Sequence, residues 1–299
     1  MQNTKMRHYS FLARLYKYQS VRFPIFFLAL SFLPPILSSS AIVSGTESHF
    51  IVVICLLLSL LYLFHVRIFD EARDFDHYNV HHKSRPIQSN VIELWELRQV
   101  DIVVAATFFS LILFFGIIPF FLGVIMWTYA FLAEKEFYIK EVLRRHFFLY
   151  NGVNIIQMFL LQLMVYAIFS QSFHVGLPLV LHFLFTCTGT VIFEFLRKLR
   201  LPGADGTGKD TYTWHVGFGR AMTIYVIIAM LNILLFLFIV MTVGVYVWGW
   251  IMFSIIVAIV LMGTTFIHFV KKNHITNHGV QLNFLLTYSL FNIIIYLTF

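Results

Sequence analysis

Residues 50–86 read FIVVICLLLSLLYLFHVRIFDEARDFDHYNVHHKSRP. From Phe50 to Phe69 the stretch is apolar at nearly every position, and at ~1.5 Å per helical residue it can cross a hydrocarbon layer of ~30 Å. The next seven positions then hold Asp70, Glu71, Asp74 and Asp76. A membrane-spanning helix that ends in a cluster of acids needs a reason for the acids.

Outward from this stretch the chain stays greasy. Its 299 residues are 60% hydrophobic, 18% aromatic and only 12% charged, a balance outside that of soluble globular domains. Apolar runs recur at Phe23 to Val43, Phe50 to Phe69, Val100 to Phe114, Ile117 to Leu132, Asn151 to Phe169, Gly176 to Leu196, Ala221 to Val243, Val245 to Phe269 and Leu282 to Phe299. In lipid every backbone polar group must be satisfied internally, so the choice is helices or a closed barrel, and the alternating pattern of a barrel is absent. The sequence therefore predicts an all-α integral membrane protein with nine transmembrane helices. The break between the third and fourth rests on Gly116 and Pro119 in FFGIIPFF. With no internal repeat and no linker, residues 1–299 read as a single transmembrane domain.

The loops divide by charge. Lys5, Arg7, Arg14, Lys17 and Arg22 precede the first run; Arg67, Arg73, Lys83, Arg85 and Arg98 flank the second connection; further groups fall at Lys135 to Arg145, Arg197 to Arg220 and Lys271 to Lys272. The intervening loops SSSAIVSGTESH and SQSFHVG carry no Lys or Arg. By the bias of basic residues toward the cytoplasm, the amino terminus is expected inside and the carboxyl terminus outside. The net charge of +7 then describes one membrane face, for which anionic lipid is a sufficient partner, and nucleic-acid binding is not expected. Cys55 and Cys187 both fall in apolar runs and give no disulfide or metal framework. The first run, behind a basic segment, reads as an anchor that stays.

Asp70 and Asp74 are four apart, so they share a face if the second helix continues past the membrane boundary. Two such carboxylates repel unless a cation offsets them. Mg²⁺ suits them, because it takes hard oxygen ligands and binds through one or two carboxylates plus substrate phosphates. Lys83 and Arg85, just downstream, offer positive charge for the same phosphates. A solvated loop of mixed charge is the competing reading, and the second polar segment, EFLRKLRLPGADGTGKD at 194–210, counts against it. Glu194 again stands at the end of an apolar run, where an ionisable residue points to function, and Arg197, Lys198, Asp205 and Asp210 follow.

An acidic motif after the second of nine helices, the KSRP stretch at Lys83 to Pro86, the second acidic segment after the sixth helix, and YQSVRFP at Tyr18 to Pro24 together resemble the UbiA superfamily of intramembrane prenyltransferases. The resemblance implies a nine-helix bundle around a central cavity that opens to the cytoplasmic side and into lipid, in a multi-pass protein of a bacterial inner membrane. It implies Mg²⁺ held on the diphosphate of an isoprenyl donor by Asp70, Glu71, Asp74 and Glu194, with Asp76, Asp205 and Asp210 as further candidates. Arg22, Lys83, Arg85 and Lys198 become diphosphate ligands, and Asp70, Asp74, Glu194 and Lys198 the catalytic set.

Two departures stand out. The family's Asn-Asp-x-x-Asp-x-x-x-Asp motif maps onto Asp70, Glu71, Asp74 and Tyr78, with no acid at the last position. Its second motif, Asp-x-x-x-Asp, becomes Glu194 and Lys198. A lysine in place of a carboxylate contacts the diphosphate directly, or Asp205 or Asp210 folds back to replace the lost oxygen, or catalysis is lost and isoprenoid binding remains.

Ionising an allylic diphosphate leaves a delocalised cation, so the protein neutralises the leaving group and excludes water. Capture by a lipophilic aromatic acceptor makes a prenyltransferase, and capture by the donor's own double bond makes a terpene cyclase. The 35 Phe could steady such a cation through their ring faces, although most are ordinary fillers of helices in lipid. Two other classes compete. His77, His81 and His82, with His274 and His278, suggest a di-iron oxygenase, but only His146 and His215 remain to complete its ligands. A transporter would show repeats and broken helices, which are not evident. Of the remaining polar residues, His65 and His182 read as helix histidines bonded to neighbours, Asp101 as a helix cap, and Glu134, Glu136 and Glu141 as part of an exposed helical connection.

Overall fold

The computed structural model describes residues 9–45, 49–170, 175–201, 211–244 and 246–299; Asp205 and Asp210 lie outside them. Among the described residues the chain forms α1 (Phe11–Arg22), α2 (Ile25–Ser44), α3 (His49–Arg73), α4 (Phe75–His81), α5 (Leu94–Ile112), α6 (Ile117–Glu134), α7 (Lys140–Arg145), α8 (Phe147–Phe169), α9 (Leu177–Arg197), α10 (Tyr212–Val216), α11 (Phe218–Met241), α12 (Val247–Lys271) and α13 (His274–Thr298). Nine of them, α2, α3, α5, α6, α8, α9, α11, α12 and α13, are long and apolar enough to cross a membrane, the number that the hydropathy predicts.

The ends are set by caps that hydropathy does not register. α5 begins at Leu94 rather than Val100, because Glu93 and Glu96 close a capping box on its first turn. α13 begins at His274 rather than Leu282, where Asn273 and Thr276 form another. The third and fourth spans part at Gly116, whose φ of 99° stops the preceding turn at a conformation that favours glycine. Pro119 follows in the first turn of α6, where a missing N–H costs no hydrogen bond.

The chain divides into two compact units, residues 1–33 with 49–168 and residues 34–48 with 169–299. In the first, α3 packs on α5 and α6. His65 of α3 meets Asp101 of α5 at 2.7 Å, and the Trp127 ring of α6 stacks on His65 at 4.2 Å. Asp101 therefore lies in the middle of α5 and not at its cap: a buried carboxylate in an apolar helix needs a partner, and the histidine across the interface is that partner. At the polar end of α3, Tyr18 of α1 packs with Ile68, Ile87, Ile92 and Leu97. Arg14 clamps Glu96 through two hydrogen bonds of 2.7 and 2.6 Å. These contacts fix α1 and the segment before α5 against the acids.

The connection 133–145 is not one exposed helix, although Glu141 is exposed on α7. Glu136, Phe137 and Tyr138 all have left-handed φ, at 50°, 52° and 57°, a conformation that costs an L residue ~1–2 kcal/mol. The turn carries the Glu136 side chain inward, where it is buried and paired with Arg144 at 2.7 Å. Glu134, also nearly buried, pairs with Arg98 at 2.7 Å.

In the second unit α9 packs on α11 and α13. Asn232 of α11 donates to the Phe185 carbonyl and the Thr188 hydroxyl, each at 2.8 Å. Gly189 admits the Tyr288 ring where any Cβ would collide with it. His182 bonds Ser38 at 2.8 Å, and Ser38 donates to Asn292 at 2.6 Å. His65 and His182 thus both have side-chain partners.

Candidate functional site

α3 does not stop at the last apolar residue. It runs to Arg73 and keeps its register one step further, since the Asp74 N–H donates to the Asp70 carbonyl at 3.0 Å. Asp70 and Asp74 therefore lie one turn apart on one face. Both side chains converge on one guanidinium. Arg73 Nη2 is 2.8 Å from Asp70 Oδ1 and 3.3 Å from Asp74 Oδ2, and Arg73 Nε donates to Asp74 Oδ1 at 3.3 Å. The remaining nitrogen, Nη1, donates to Asn154 at 3.2 Å, and the Tyr150 ring lies 5.4 Å from the guanidinium carbon.

Glu71, one residue along, points elsewhere, as a neighbour rotated by ~100° must. It is 1% exposed and accepts from Arg22 Nε at 2.6 Å, with Arg67 Nε 3.6 Å away. Tyr78 donates its hydroxyl to Asp74 at 3.2 Å and lies under Arg85, 3.7 Å from ring centre to guanidinium carbon. Burial, and then the charge of Asp74, pushes the Tyr78 phenol up, so it stays a donor at neutral pH. Burial, and then Arg67, pushes Arg22 down from its ordinary value.

Four guanidinium groups, of Arg22, Arg67, Arg73 and Arg85, thus face three carboxylates, leaving one net positive charge. Arg22 Nη2, Arg67 Nε, Arg85 Nη1 and the Tyr18 hydroxyl are buried there without an acceptor, and so is Glu71 Oε2 without a donor. Buried polar atoms are seldom left unpaired in a native protein. Four orphaned donors in one neighbourhood are suited to an anion with several oxygens.

Asp70 and Asp74 offer what a small hard cation takes: two convergent carboxylates, 28% and 22% exposed, with room in the coordination shell for substrate oxygens and water. On that donor chemistry they fit one ion such as Mg²⁺. Among the described residues no group of three or more His, Cys, Asp or Glu is arranged to hold a metal, so the structure does not gather His77, His81 and His82 into a di-iron ligand set. Asp76 is exposed on α4, and Lys83 is exposed in the turn that follows it.

At the end of α9, in the other unit, Glu194 is gripped by its own helix. Arg197 reaches it twice, at 2.9 and 2.8 Å, and Lys198 Nζ is 3.1 Å from Oε1. Among the described residues this segment therefore has one carboxylate, and it faces two cations.

Arg67, Arg73, Tyr18, Asn154 and Tyr150 are absent from the sequence-derived set. The two arginines had a visible signal, standing three residues before and three after Asp70, at helical spacing for contact. Asn154 and Tyr150 come from a distant helix and had none.

No protein-family model and no curated protein matches the chain by sequence. Solved structures do. A digeranylgeranylglyceryl phosphate synthase is 14% identical with a TM-score of 0.59, over 95% of this chain and 97% of that one. A UbiA homologue from Archaeoglobus fulgidus bound to GPP and Mg²⁺ is 12% identical with a TM-score of 0.59, over 94% and 99%. The same homologue bound to DMAPP and Mg²⁺ gives 12% and 0.58, over 95% and 100%. The chain has the UbiA-like fold over 94–95% of its length.

Proposed function

We propose that this chain, with the fold of UbiA homologues, is an intramembrane enzyme that ionises an isoprenyl diphosphate and transfers the prenyl group to an aromatic or other lipophilic acceptor. The observation that carries this reading is the set of buried donors without acceptors, on Arg22, Arg67, Arg85 and Tyr18, beside two convergent carboxylates at the end of a membrane helix. A diphosphate supplies the missing acceptor oxygens, and its isoprenyl tail matches the apolar surroundings. That structural neighbours bind GPP or DMAPP with Mg²⁺ supports the same ligand class.

Asp70 and Asp74 would hold Mg²⁺, which when bound supplies positive charge to the leaving diphosphate. The arginines accept the developing charge: as the bond from the allylic carbon to oxygen breaks, its electron pair leaves with the diphosphate, and donors already aimed at those oxygens need no reorganisation. Tyr78 orients Asp74 and supports Arg85. The acceptor then forms a bond to the allylic carbon and loses a proton. Glu194 and Lys198 enter this reading on the sequence resemblance, as does the cytoplasmic orientation on the charge bias of the loops.

The detergent-purified chain is incubated with geranyl, farnesyl or geranylgeranyl diphosphate and Mg²⁺, and pyrophosphate release and products are measured with and without a quinone precursor. Turnover that requires the acceptor supports transfer. A cyclic hydrocarbon formed without acceptor makes the enzyme a terpene cyclase, and silence under both conditions refutes the enzymatic reading.

A further inference from the structure

Arg73 occupies the place where the cation of the proposed reaction would bind. Its Nη2 lies within hydrogen-bond range of one oxygen from each aspartate, so a divalent ion coordinated by that pair and the guanidinium cannot both be there. An arginine in such a position is either a permanent clamp or a stand-in. Two features favour the stand-in. The hydrogen bonds to Asp74 are long for charge-assisted ones, at 3.3 Å each. In addition, Arg73 lines a pocket with Glu136, Phe137, Leu143, Tyr150 and Asn154. Glu136, delivered there by the left-handed turn at 136–138 and already holding Arg144 at 2.7 Å, places on that wall a second carboxylate, which Arg73 would share with Arg144.

We propose that Arg73 is a displaceable internal counter-ion, which holds Asp70 and Asp74 together until a divalent cation takes their oxygens and then withdraws along the Tyr150 face toward Glu136. The inference rests on the reading of Asp70 and Asp74 as the cation-binding pair. It assigns Arg73 a positioning role: it keeps two like charges converged in a poorly solvated setting when no metal is bound, and it makes metal loading compete with an ion pair.

The test is Mn²⁺ binding, followed by electron paramagnetic resonance on the full chain in detergent without substrate, together with the melting midpoint in EDTA. Arg73→Gln removes the competitor. Each charge-assisted hydrogen bond that the ion must displace is worth about a factor of ten or more, so the Mn²⁺ dissociation constant of this variant falls about tenfold or more below that of the wild type. Its melting midpoint in EDTA falls too, and Mn²⁺ restores it. Arg73→Lys keeps the charge and stays close to the wild type. Glu136→Gln leaves α3 untouched and removes the receiving carboxylate, so it weakens Mn²⁺ binding about threefold or more; it serves even where Arg73→Gln does not fold. Equal or weaker Mn²⁺ binding by Arg73→Gln, or unchanged binding by Glu136→Gln, overturns the role of Arg73 and leaves the cation pair standing. No Mn²⁺ binding by the wild type or by any variant overturns both.

Discussion

The acids at the end of α3 and the acid at the end of α9 occupy the same local setting, the last turn of a long apolar helix, and their neighbours treat them differently. At α3 the cations come from several elements: Arg22 from α1, Arg85 from the segment before α5, Arg67 and Arg73 from α3 itself. At α9 the partners of Glu194 are its own helix neighbours at i+3 and i+4. A site assembled from separate elements is held in shape by the fold, whereas a pair closed within one turn needs only the helix. The first region is therefore held by several elements, and the second by its own helix.

The largest expected effect separates the two by stability. Glu71 is 1% exposed and offsets Arg22 and Arg67. Glu71→Ala leaves Arg22 buried and unpaired, while Arg67 keeps Asp70 at 3.9 Å, and removing one partner of a buried pair costs about 3–5 kcal/mol. Glu194→Ala releases Arg197, which is 65% exposed and can turn to water, and leaves Lys198, 17% exposed, without its carboxylate, so it costs less, about 1–3 kcal/mol. Thermal melting in detergent compares the two; similar losses would erase the distinction.

Activity should divide the same way. Asp74→Ala is expected to lower pyrophosphate release about 100-fold or more, the scale on which preorganised charge at a leaving group acts. Glu194→Ala, which removes a carboxylate already neutralised by two cations, is expected to cost about tenfold. A larger loss in Glu194→Ala would reverse the assignment and make the α9 segment the principal site.

A smaller effect tests what Lys198 contributes. If it meets the diphosphate, Lys198→Met raises KM for the isoprenyl diphosphate about tenfold, the worth of one charge-assisted hydrogen bond, and changes kcat less. If kcat falls and KM holds, Lys198 acts on the leaving group during bond breaking and not in binding the donor.

The spans were legible because twenty apolar residues in a row leave few alternatives. What hydropathy missed were ends and partners. α3 carries Asp70 and Glu71 on helix because its backbone ladder continues past Phe69, and α5 and α13 start early in polar turns that only their caps explain. Asp101 and Glu136 defeat a local reading for a common reason: each is an acid in a sequence context that suits the surface, made interior by something that local context does not show, His65 on another helix in one case and a left-handed turn in the other. The convergence of Asp70 and Asp74 followed from spacing of four. That Arg73 would stand between them, backed by Asn154 and Tyr150, required knowing where α8 packs.

The smallest effect concerns acid. The segment after α3 carries His77, His81 and His82, while no histidine lies between Glu194 and Arg200. Burial, then Arg85, His77, Arg22 and His81, pushes His82 below its ordinary value of 6.5. The unfolded chain takes up a proton near pH 6.5, and the folded chain resists it until the pH is lower. Stability is therefore unaffected by His82 above that value and declines as pH falls through the interval between the two. The melting midpoint should drop on going from about pH 7 to about pH 5.5, and His82→Gln should make that drop shallower while leaving the midpoint at neutral pH unchanged. An unaltered slope in His82→Gln would mean that neither burial nor the cations at the end of α3 hold His82 below its ordinary value in the folded chain.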